Sequence, residues 1–89
     1  MTTIEQAATD FIQAEQRASF LKIEYRVALE AFFRQHGRPE GAMHVDDERF
    51  QPAMNATQAQ YQAFQKAKRA KYNCHRRLRT AVARAGGAQ

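Results

Sequence analysis

Side chains able to bind metals or move protons gather at two places in this chain. His36, His44, Asp46, Asp47 and Glu48 fall close together, and Cys74 stands beside His75 further on. Imidazoles and carboxylates at short range are the raw material of a metal site or of acid–base catalysis. Their spacing supports neither. No H-E-x-x-H or similar pair sets two ligands on one helix face, and no Cys/His group has zinc-finger spacing. A Ser-His-Asp arrangement, a glycine-rich phosphate loop and facing carboxylates are likewise missing from the sequence. The first cluster reads as a solvated loop and Cys74 as a small apolar residue. A non-catalytic protein is expected, with no metal and no other cofactor.

Charge offers a different chemistry. The formal net charge is +5, but all nine acids lie in residues 1–53, where six Lys/Arg leave a net −3. Residues 54–89 hold eight Lys/Arg and no acid, a net +8. Projected on a helix, Tyr61, Lys68, Arg69, Tyr72, Arg76 and Arg79 form one ridge, with Lys66 and Arg84 at its margin. Cations so placed neutralise phosphates, and tyrosines among them stack on unpaired bases or a sugar edge. Nothing in the ridge reads base sequence. It suits backbone and shape recognition, of RNA or a nucleic-acid junction. The alternative occupant is an acidic protein, steered by the same charge. Pairing of Glu5, Asp10 and Glu15 with Arg77, Arg79 and Arg84 is expected to consume part of the charge.

These side chains need elements to hold them. Thr3 with Gln6, or Thr2 with Glu5, has the spacing of a helix-starting capping box. Ile4, Ala7, Phe11, Ala14, Ala18, Leu21, Tyr25, Ala28 and Phe32 then follow at intervals of three and four. Gly37 and Pro39 stop the pattern. The spacing predicts a first helix over about 3–36, a connection over 37–53 and a second helix over about 54–85, all in one domain. Local structure is expected in the connection, with Val45 and Phe50 tucked onto the end. The inward face of the second helix is read as Ala63, Ala67, Ala70, Cys74, Leu78, Ala81 and Ala85, flanked by Phe64 and Val82. Such small side chains predict an all-α, antiparallel, coiled-coil-like two-helix hairpin with an alanine-rich seam and a crossing angle of about 20°.

The first helix has more apolar surface than one neighbour covers. Ile12, Phe20, Ile23, Val27 and Ala31 gather on a second side. A homodimer forming a four-helix bundle is expected to cover them, and a docked partner protein is the alternative. In architecture alone the chain is similar to short plasmid-encoded helical hairpins that dimerise and bind RNA hairpins, although no motif is shared. The N-terminus lacks the pattern of a signal peptide, and no run approaches eighteen apolar residues. A cytoplasmic location and no membrane partner are expected, because the second helix has little apolar surface to insert. Two functions follow: a nucleic-acid-binding regulator, or an adaptor or inhibitor of the phage or plasmid type that docks an acidic protein.

Overall fold

A computed structural model describes residues 3–87. Those residues form three helices, α1 (Ile4–His36), α2 (Gln51–Ala56) and α3 (Gln58–Gly87), and no strand. The fold is all-α. Thr3 caps α1, its hydroxyl oxygen accepting from the Gln6 backbone N–H at 3.0 Å. Gly37 ends the helix at φ 83°, in the left-handed region glycine enters without strain, and its N–H donates to the Phe33 carbonyl. The start and stop of α1 therefore follow from Thr3 and Gly37 as the sequence predicts.

The connection holds more helix than its prolines suggest. A single 3-10 turn, Glu48–Phe50, leads directly into α2, which carries Pro52 in its first turn. Proline is tolerated there because the first helical N–H groups have no intrahelical partner. The chain then kinks at Thr57, whose backbone leaves the helical region while its buried hydroxyl donates to the Ala53 carbonyl at 2.8 Å. The predicted second helix, starting near residue 54, is thus two helices divided at Thr57. A threonine hydroxyl bonding back four residues is a known cause of a bend.

α1 and α3 run antiparallel along most of their length. Ring contacts set their register: Phe11 lies 5.2 Å from His75, and Tyr25 lies 5.3 Å from Tyr61. On α1 the predicted stripe turns inward from Ala7 to Phe32, while Ile4 at the helix start stays exposed. The facing seam starts at Thr57 and runs along α3 through Gln60, Phe64, Ala67, Lys71, Cys74, Leu78 and Ala81. Ala70 and Ala85, expected on that seam, are exposed. Intervals of three and four pass through Lys71, which lies half-buried where its methylene stem can cover apolar surface and its ammonium group can reach water. Ala85 projects past the start of α1. Val82 is also largely exposed, whereas Ala63 and Phe64 are half-buried.

At the turn, Phe50 is fully buried, edge-on to Phe33 at 6.2 Å between ring centres. The Arg38 guanidinium lies 5.5 Å from the Phe33 ring centre and 5.6 Å from that of Phe50, joining the end of α1 to the 3-10 turn by cation–π contact. Val45 does not join this cluster: it is 75 % exposed. Among the described residues no helix is long and apolar enough to cross a membrane.

Candidate nucleic-acid interface

Lysine, arginine, glutamine and alanine carry α3 as good helix formers, and the seam fixes which of its side chains face water. Lys68, Arg69, Tyr72, Arg76 and Arg79 are all exposed. Tyr61 and Tyr72 share their face but differ in freedom. Tyr61 packs against Tyr25 and borders an apolar cleft at the turn, which Met43 and Met54 also line. Burial, and then the neighbouring Tyr61 oxygen, push the Tyr25 phenol above its ordinary pKa, consistent with a shielded pair. Tyr72 is 64 % exposed and stands over a shallow groove with Lys68, Lys71, His75, Phe11 and Glu15. The Lys68 ammonium also lies 5.5 Å from the Phe64 ring centre, which draws it toward the seam.

The arginines near the end of α3 form the densest part of the surface. Arg76, Arg77 and Arg84 line one concavity with Asn73 and Thr80. Arg76 and Arg79 line the adjoining one. Arg77 therefore belongs to the cationic surface, although the sequence suggested that α1 acids would neutralise it. The 73, 77, 80, 84 spacing marks a common helix face and was the signal available. The expected neutralisation does not form. Among the described residues the one ion pair is Arg49–Asp47 at 2.7 Å, in the turn. Asp10 instead accepts from the Gln6 side chain, and Glu15 borders the Tyr72 groove. Among the described residues none of the eight cations of α3 is paired with a carboxylate.

Of the turn residues with catalytic potential, Asp47 and His36 have structural partners, whereas His44, Asp46 and Glu48 are exposed. The Asp47 carboxylate caps the 3-10 turn by accepting from the Arg49 backbone N–H at 3.0 Å and takes two further bonds from its guanidinium. Those bonds hold the Asp47 carboxyl below the usual carboxylate range and raise the Arg49 guanidinium. His36 packs on Phe32 with ring centres 4.4 Å apart. No three His, Cys, Asp or Glu side chains among the described residues are placed to hold a metal ion. Cys74 is half-buried in the α1–α3 seam.

A second surface lies on the opposite side of α1. Phe20, Ile23 and Val27 are 57, 60 and 58 % exposed, and Ile12 lies on the same face. Compared with known proteins, the chain matches no family model, no curated protein and no solved structure.

Proposed function

We propose that this chain is a non-catalytic protein that binds RNA or another structured nucleic acid through α3 and acts as a homodimer of helical hairpins in a four-helix assembly. The observation that carries the reading is the cationic surface of α3, whose lysines and arginines have no carboxylate partner among the described residues. Unpaired cations on one rigid helix neutralise phosphates without first giving up an internal pair, and releasing the counterions of the nucleic acid supplies the driving force. Lys68, Arg69, Arg76 and Arg79 are the phosphate contacts, Arg77 and Arg84 extend them, and Tyr72 is the stacking residue. Contacts of this kind recognise backbone and shape, which fits single-stranded or folded RNA better than a base sequence in duplex DNA.

The exposed Phe20, Ile23 and Val27 favour a second reading, an adaptor or inhibitor that docks an acidic protein through this face and is steered by α3. Two paired variants separate the readings. Lys68→Glu with Arg69→Glu abolishes binding to a labelled RNA hairpin and leaves the dimer intact. Ile23→Asp with Val27→Asp disrupts the dimer and weakens RNA binding only through lost avidity. Retention of full RNA affinity by the first pair removes the nucleic-acid reading.

A further inference from the structure

The outer face of α1 has a period of its own. Ile12, Phe20, Ile23, Val27 and Ala31 are exposed, and with Gln16 they follow intervals of four, four and three. That is an eleven-residue repeat, whereas the face toward α3 repeats every seven. The centres of the two faces lie roughly 165° apart around the helix. Whatever covers the outer face therefore sits across α1 from α3, in a flat layer of helices.

Charges along the edges of this face indicate what covers it. Arg17 and Glu24 border one edge, Glu15 and Arg26 the other, and all four are exposed. None takes part in an ion pair among the described residues. Seven residues separate the first two and eleven the second, about 10 Å and about 16 Å along the helix. Neither pair can close within one helix. When two copies of a helix pack antiparallel about a two-fold axis, like edges meet, and each residue faces the one equally far beyond the axis. Arg17 and Glu24 share a midpoint between residues 20 and 21. Glu15 and Arg26, on the other edge, share the same midpoint.

We infer that two copies of this chain pair antiparallel through the outer face of α1, about a two-fold axis between Phe20 and Leu21. Arg17 then faces the partner's Glu24, and Glu15 faces the partner's Arg26. This rests on the dimer proposed above and adds its polarity, register and contacts. Apolar side chains interleave in this register: the partner's Ile12 falls between Val27 and Ala31, and the partner's Ile23 between Gln16 and Phe20. Sliding one helix by seven residues sets Arg17 against the partner's Arg17, or Glu24 against the partner's Glu24, so repulsion guards the register. Antiparallel pairing also opposes the α1 dipoles and sends the arginine-rich ends of the two α3 helices to opposite ends of the assembly. The axis stands perpendicular to the helical layer. Both basic ridges consequently face the same way, with α3 axes roughly 25–30 Å apart.

The test is sedimentation equilibrium of the full chain and three charge variants at low salt. Arg17→Glu and Glu24→Arg each replace two attractions by two repulsions and weaken dimerisation roughly tenfold. The double variant Arg17→Glu/Glu24→Arg restores the facing pairs and returns dimerisation to within about threefold of the parent. Recovery also excludes misfolding as the cause of the single-variant losses. A parallel dimer would instead set Arg17 near the partner's Glu15 and Glu24 near the partner's Arg26, so the double variant would stay weak. A parent chain that is a monomer at every concentration overturns both the dimer and this geometry. A dimeric parent whose double variant is as weak as the single ones overturns the polarity and register alone.

Discussion

Tyr61 and Tyr72 lie eleven residues apart on one face of α3, and their surroundings assign them different work. Tyr61 is held by the Tyr25 ring and the turn, whereas Tyr72 projects among lysines with most of its surface in water. An aromatic ring stacked on a base contributes about 1–3 kcal/mol. Tyr72→Ala is therefore expected to weaken RNA-hairpin binding by about tenfold or more, with little change in the thermal unfolding midpoint. Tyr61→Ala is expected to do the reverse, lowering the midpoint while leaving affinity within about twofold. Fluorescence anisotropy and circular dichroism on the two variants check this, and equal losses of affinity would contradict the division.

Between α1 and α3, the polar residues on the seam decide how well the helices hold together. Gln60 places its Oε1 out of contact with water and without a hydrogen-bond partner. An unmet acceptor of this kind costs about 1–3 kcal/mol. Gln60→Leu is expected to raise the unfolding midpoint by at least about 4–8 °C, the shift that about 1 kcal/mol gives a domain of this size; an unchanged or lower midpoint would mean that Gln60 finds a partner in solution. The same seam explains which parts of the architecture were legible beforehand. α1 could be read almost to the residue, because Thr3, Gly37 and an unbroken apolar period all mark the same helix. α3 was harder, because alanine occurs on both of its faces and carries little directional information. Between Ala67 and Cys74 intervals of three and four admit both Ala70 and Lys71; residue type favoured the alanine, whereas the structure half-buries Lys71 and exposes Ala70. The division at Thr57 was hidden too, since a side-chain hydroxyl bonding backward leaves no composition signal. The exposure of Lys68, Arg69, Tyr72, Arg76 and Arg79 was legible from charge and helical projection. Arg77 was missed because acids of suitable sign on α1 offered a partner that the observed geometry does not supply.

The whole molecule is a thin rod, 59 × 21 × 17 Å, with a radius of gyration of 18.2 Å. A compact domain of this length would have about 12 Å. Its buried apolar residues among those described are Ala7, Ala18, Phe50, Ala53 and Ala67, four of them alanines. So small a core gives little stabilisation from burial. In the proposed dimer the outer face of α1 supplies the missing burial, and the lengthwise separation of charge leaves α3 free for the proposed polyanion. Binding through such a surface releases counterions, so affinity must fall with salt in proportion to the phosphates engaged. The most direct measurement is the affinity of the full chain for an RNA hairpin across a salt series. At about 0.7–0.9 per contact, the four contacts of Lys68, Arg69, Arg76 and Arg79 set a log–log slope of about −3, and engagement of Arg77 and Arg84 as well steepens it to between about −4 and −5. Arg76→Ala should make it shallower by about one contact. Affinity independent of salt, or no measurable binding at low salt, would contradict the account.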